Sequence, residues 1–221
     1  MPHGAISEGR VNFPSETQPR MDERVKTGMG AAAAALDYDA ELMLRVKEGD
    51  GASFGVLLDK HRLSVVHFLH RMVQNHAVAE ELAQEVFLRV YRSRSTYEPT
   101  AKFTTWLFRI ATHLALNSLR DGKNERSQER LDDDSSDLPV RQVSDRRPSV
   151  EQAMVYQARL DEVRRAVAGL PEKQRAAVLM HKYEEMEYSQ IAKVLSCSES
   201  AVKSLLFRAY ETLRARLAHM A

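Results

Sequence analysis

A chain of 221 residues with 32 Lys and Arg against 31 Asp and Glu is close to neutral, so any nucleic-acid surface on it has to be a local basic patch. Its one cysteine, Cys197, excludes an internal disulfide framework and suits a reducing compartment, where it reads as a small packing residue rather than a redox switch. With no apolar run near the ~20 residues of a membrane span, and no apolar leader, the expectation is a soluble cytoplasmic protein without membrane insertion.

Residues 1–36 scatter Pro2, Pro14 and Pro19 among charges without periodicity and are expected to be a disordered extension. The alanines from Ala31 to Ala35 are too few to hold a helix alone. Periodicity begins near Asp39. Leu42, Met43 and Val46 predict a short helix that stops at Gly49, with Asp50 placed to cap the next. That helix carries Phe54, Leu57, Leu58, Val65, Phe68, Leu69, Met72 and Val73, with basic residues opposite. After a break at Gln74-Asn75-His76, a third helix follows through Ala79, Leu82, Ala83, Val86, Phe87, Val90 and Tyr91. The loop Thr96-Tyr97-Glu98-Pro99 leads to a fourth, carrying Phe103, Trp106, Leu107, Ile110, Leu114 and Leu119. No strand pattern competes, which makes residues 37–121 an all-α domain of about four helices.

Residues 122–148, with Asp132-Asp133-Asp134-Ser135-Ser136 and two prolines, read as a flexible linker. From 149 to 221 a second helical domain is expected. Its stripe runs Val150, Met154, Leu160, Val163, Val167 and Leu170, and Pro171 then opens a helix where proline is tolerated. Ile191, Ala192 and Leu195 give one further helix and Val202, Leu205, Leu206 and Ala209 another, with Ser196-Cys197-Ser198 between them and Ser198 as N-cap. Ser196 stands at the turn position that usually takes glycine. This is the pattern of a helix-turn-helix, whose second helix enters the DNA major groove; the plain alternative is an αα-hairpin with a solvated polar face.

Hydroxyls and cations collect where such a helix would meet DNA: Ser198, Glu199, Ser200, Lys203, Ser204 and Arg208. In the first domain, Glu81, Gln84, Glu85 and Arg89 point away from their helix's apolar stripe, a face that solvation alone could explain. On the fourth helix Phe103, Trp106, Arg109, His113, Asn117 and Arg120 offer rings, amides and cations at helical spacing, groups suited to an unpaired strand. Trp106, beside Leu107 and Ile110, is expected to serve chiefly as core. His61, His67 and His70 share a helix with no cysteine or carboxylate at metal spacing, and there is no phosphate loop or nucleophile motif. No metal, no cofactor and no enzymatic activity are expected.

Over about residues 39–217 the chain resembles extracytoplasmic-function (ECF) sigma factors, the minimal branch of the sigma-70 family. Three motifs in the family's order carry the likeness. The first is Glu80-Glu81-Leu82-Ala83-Gln84-Glu85-Val86-Phe87-Leu88-Arg89-Val90-Tyr91, the second Phe103-Thr104-Thr105-Trp106-Leu107-Phe108-Arg109-Ile110-Ala111. The third is Leu170-Pro171-Glu172-Lys173-Gln174-Arg175 together with Tyr188 to Ala209. The resemblance implies an alternative sigma factor that binds bacterial core RNA polymerase and promoter DNA. Glu81, Gln84, Glu85, Phe87, Leu88 and Arg89 would then face the polymerase. Thr104, Thr105, Trp106, Arg109, His113, Asn117 and Arg120 would melt and hold the −10 strand, and the residues from Ser198 to Arg208 named above would read the −35 duplex. It also implies an anti-sigma factor as inhibitory partner.

The chain departs from the family pattern at three places. His113 replaces the usual Asn, Leu205 a frequent Arg, and Glu187 the usual Ser or Thr cap. His113 is expected to alter the −10 base preference rather than abolish melting. A helix-turn-helix regulator that acts without polymerase, and a helical interaction module without DNA, remain the alternatives.

Overall fold

The computed structural model describes residues 37–128 and 150–220, which are helical with no strand among them. The extension 1–36 and the acidic part of the linker lie outside the described residues. The first half contains α1 (Tyr38–Lys47), α2 (Gly51–Val73), α3 (His76–Arg92), a 3₁₀ turn (Ser93–Thr96) and α4 (Phe103–Gln128).

The helix ends form where the sequence supplies capping groups. Asp37 starts two helices at once: one carboxylate oxygen accepts from the Ala40 N–H at 2.6 Å and the other from the Phe103 N–H at 3.1 Å. Asp50 accepts from the Ser53 hydroxyl at 2.7 Å, which foremost holds its carboxyl below the usual range, and also from the N–H groups of Ser53 at 3.3 Å and Ala52 at 2.9 Å. Gln74 ends α2 in the left-handed region at φ 59°, and Asn75 then caps α3 by accepting from Val78 N–H at 3.1 Å.

These helices enclose Met43, Leu57, Phe68, Leu69, Met72, Val86, Phe103 and Phe108, all buried, with the Phe68 and Phe108 rings edge to face at 5.2 Å. Buried Asp39 is matched by Lys60 at 2.6 Å and His61 at 2.9 Å, joining α1 to α2. Helix α4 continues to Gln128, into the stretch read from sequence as linker. The Lys, Glu, Arg and Gln there are adequate helix formers, so Gly122 alone does not end it.

The second half comprises α5 (Val150–Ala168), α6 (Glu172–Tyr183), α7 (Tyr188–Leu195), α8 (Glu199–Arg216) and a 3₁₀ turn (Ala218–Met220). Leu179, Met180, Ile191, Val194, Val202, Leu206 and Ala209 form its core. The described residues make one compact unit, in which α7 packs on α4 and α6 packs on α2. The halves therefore touch directly.

Candidate nucleic-acid interface

The turn between α7 and α8 has the geometry its sequence requires. Ser196 lies at φ 52° and ψ 50°, the left-handed position usually given to glycine, and Cys197 N–H donates to the Ala192 carbonyl at 3.0 Å. Ser198 then accepts from Ala201 N–H at 3.2 Å, fixing the start of α8. Ala192 and Val202 are both buried between the helices. At Glu187 the missing hydroxyl cap is offset from the other direction, because the Gln190 side-chain oxygen accepts from Glu187 N–H at 2.9 Å.

All six side chains expected to face DNA from this motif are exposed: Ser198, Glu199, Ser200, Lys203, Ser204 and Arg208. Ser200, Lys203, Ser204 and Arg208 border a shallow concavity that Phe207 also lines. The Phe207 side chain is 68 % exposed, and the sequence reading did not single it out. The signal was present: Val202, Leu206 and Ala209 are the buried stripe, and position 207 falls off it.

On α4, Arg109, His113, Asn117 and Arg120 are exposed at intervals of four, four and three residues, one stripe of two cations, an imidazole and an amide. Thr105 belongs to the head of that stripe, yet it is 3 % exposed, and its hydroxyl accepts from the Gln190 side-chain amide of α7 at 3.5 Å. Thr104 is half-buried. Trp106 is half-buried too, with its ring 4.9 Å from Tyr97 and 5.8 Å from Phe103. The ring thus packs against apolar neighbours, as expected of a lone Trp beside Leu107 and Ile110.

On α3, Glu81, Gln84 and Leu88 are exposed, Leu88 at 49 % despite being apolar. Glu85 is half-buried and takes a bond from Arg89 at 2.7 Å. Phe87 is corrected out of this surface. At 6 % exposure it packs with Ala79, Ala83, Val86 and Val90 on the core stripe and offers a partner almost nothing. Among the described residues no three His, Cys, Asp or Glu side chains gather as a metal site would need, and no helix is long and apolar enough to cross a membrane.

Comparison with known proteins matches these two halves to two family descriptions: sigma-70 region 2 over residues 57–125, and sigma-70 region 4 over residues 160–213. The chain is 32 % identical to the RNA polymerase sigma factor CarQ of Myxococcus xanthus over 178 residues, 80 % of this chain and 97 % of CarQ. It is 28 % identical to the ECF RNA polymerase sigma factor SigW of Bacillus subtilis over 174 residues, 78 % of this chain and 93 % of SigW. A co-crystal structure of the sigma factor RpoE from Bartonella quintana with the anti-sigma factor NepR shares the fold. It has a TM-score of 0.61 and 19 % identity, and covers 75 % of this chain and 96 % of that one. The α1–α4 half and the helix-turn-helix half are thus regions 2 and 4 of a sigma-70 family protein. Within that family the chain belongs to the ECF group, alternative sigma factors that direct promoter-specific transcription with core RNA polymerase.

Proposed function

We propose that the outward stripe of α3 docks on core polymerase, that the α4 stripe holds the unpaired −10 strand, and that α8 reads the −35 duplex. The observation that carries this reading is the exposed α8 surface of Ser200, Lys203, Ser204, Phe207 and Arg208, behind a turn and cap that fix its angle. Lys203 and Arg208 suit phosphates and guanine edges, the serines suit either, and the Phe207 ring suits a thymine methyl. On α4 the cations meet the strand's phosphates, while His113 and Asn117 offer donors and acceptors to an unstacked base.

The docking stripe consists of Glu81, Gln84, Glu85 and Leu88, with Arg89 steadying Glu85. Neither helix face contains a group that must make or break a bond, so the chain acts by binding alone, in the cytoplasm beside the polymerase. An anti-sigma factor, of the kind bound to the Bartonella protein, would hold it inactive.

Reconstitution with bacterial core RNA polymerase on a fragmented genomic library tests the reading. Start sites sharing −10 and −35 sequences are expected. Duplex binding that needs no polymerase, without start sites, would point to an ordinary helix-turn-helix regulator. His113→Asn is expected to shift the preferred −10 base on a promoter set substituted base by base; an unchanged preference removes His113 from base reading.

A further inference from the structure

The reading end of α8 is fixed by the Ser196 turn and the Ser198 cap, and its middle by buried Val202, Leu206 and Ala209. Its far end is held differently, on the last turn of α5. A helix leaves its last four carbonyls without partners of its own, and on α5 these belong to Arg165, Ala166, Val167 and Ala168. Two are met by the chain as it turns away, Gly169 N–H donating to Arg165 at 3.0 Å and Leu170 N–H to Val167 at 3.1 Å. The other two take arginines from different helices. Arg175 of α6 donates to the Ala168 carbonyl, and Arg216 of α8 donates to that of Ala166 at 3.1 Å. One turn back along α5, Glu162 lies 2.5 Å from the His219 imidazole in the 3₁₀ turn that follows α8. The Arg216 guanidinium also occupies the place of a missing side chain. A Cβ on Gly169 would collide with it, whereas one on Gly49, Gly51, Gly55 or Gly122 would meet nothing.

Helix α8 has 18 residues, a length of about 27 Å, so rocking it on its buried middle swings both ends together. Resting on the assignment of α8 to the −35 duplex, we propose that Arg216, seated on Gly169, is a positioning residue for −35 recognition. It latches the far end of α8 to the end of α5, and so fixes the angle at which Ser198 to Arg208 enter the major groove. Contacts to base edges are directional and depend on that angle, whereas contacts to phosphates tolerate a tilt. Loss of the latch therefore lowers discrimination between sequences more than it lowers affinity for DNA as such.

The test uses holoenzyme assembled from the full chain and bacterial core RNA polymerase. Two promoter duplexes differ only in whether the −35 sequence found by reconstitution is intact or scrambled. The ratio of affinities for them is measured at several salt concentrations for wild type, Arg216→Ala, Arg216→Lys and Gly169→Ala. Gly169 is outside the left-handed region and its neighbour is the tip of a flexible side chain, so Gly169→Ala displaces the guanidinium while keeping every charge. The ratio should fall about fivefold in both Arg216→Ala and Gly169→Ala, with the salt dependence unchanged. Arg216→Lys, which keeps a donor for the Ala166 carbonyl, should lose less. A ratio that holds in either Arg216→Ala or Gly169→Ala overturns the proposal, whatever happens to the thermal midpoint. An equal loss on both duplexes, confined to the Arg216 variants and joined to a weaker salt dependence, also overturns it by making Arg216 a phosphate contact. If scrambling the −35 sequence makes no difference to the wild-type holoenzyme, the α8 assignment itself has failed and the inference falls with it.

Discussion

On α8 every side chain assigned to the −35 element is open to solvent from Ser198 onward, whereas on α4 full exposure of the −10 stripe starts only at Arg109 and Thr105 is buried. The two helices differ in what packs on them. Helix α8 buries Val202, Leu206 and Ala209 against its own half, with Leu205, Tyr210 and Leu213 partly buried beside them, and leaves the face from Ser198 to Arg208 open. Helix α4 is covered from its own half by the residues around Phe68 and from the other half by α7. The proposed −35 face of α8 is thus open to solvent, whereas the head of the α4 stripe lies under α7.

The largest effect that would break this comparison is on α8. Lys203→Ala with Arg208→Ala should weaken −35 duplex binding by about a hundredfold at moderate salt and lower its salt dependence, because each contact contributes ~1–3 kcal/mol. Little loss in a titration at several salt concentrations would mean that the exposed face is merely solvated. Next comes Asp37→Ala, which removes one carboxylate from two helix starts. It should cost about 1–2 kcal/mol in denaturant unfolding, with α8's duplex binding unchanged when measured well below the midpoint.

Gln84→Ala with Leu88→Ala should weaken core polymerase binding by about tenfold while leaving the helical circular-dichroism signal intact. Phe207→Ala should cost severalfold in −35 affinity, and only at sites that place a thymine methyl beside it.

The smallest effect concerns Glu184. Burial pushes its carboxyl up to about 7, against the Arg71 charge and the Ser64 bond, which pull the other way. With α6 packed on α2 the chain therefore binds a proton that an exposed Glu gives up near 4.5, and this packing should strengthen as pH falls through about 7 towards 4.5. Burial foremost holds the His67 and His70 imidazoles of α2 below their usual value, helped by the charge of Arg71 at His67 and by those of His76 and then Arg71 at His70. The comparison of wild type with Glu184→Gln between pH 8 and 6 isolates the carboxyl: spin labels at Glu98→Cys and Lys173→Cys, in a Cys197→Ser background, should show a larger gain in packed fraction for wild type, by about twofold.

Much of the architecture was legible because it rests on local rules. The caps Asp50 and Ser198, the break at Gln74-Asn75-His76 and the apolar stripes mark the helices from α1 to α8, and the exposed face of α8 follows from the spacing of Val202, Leu206 and Ala209. Two features were legible but read past, and one was not legible. Phe87 stood in the apolar stripe with Val86 and Val90, and only the family resemblance turned it toward a partner. Phe207 is apolar but off its stripe, so the spacing of Val202, Leu206 and Ala209 already placed it outward and only its hydrophobicity hid it. The covering of Thr105 depends on a helix 85 residues further along the chain, and no local pattern records such a meeting.

Asp37 bears on where the protein can be shortened. Because its two oxygens fasten the beginning of α1 and the beginning of α4, a version starting at Tyr38 would lose the first turn of two helices, not merely fray at one end. Any truncation that removes the preceding residues has to keep this aspartate, and a fusion partner joined at this end has to leave both of its oxygens unobstructed.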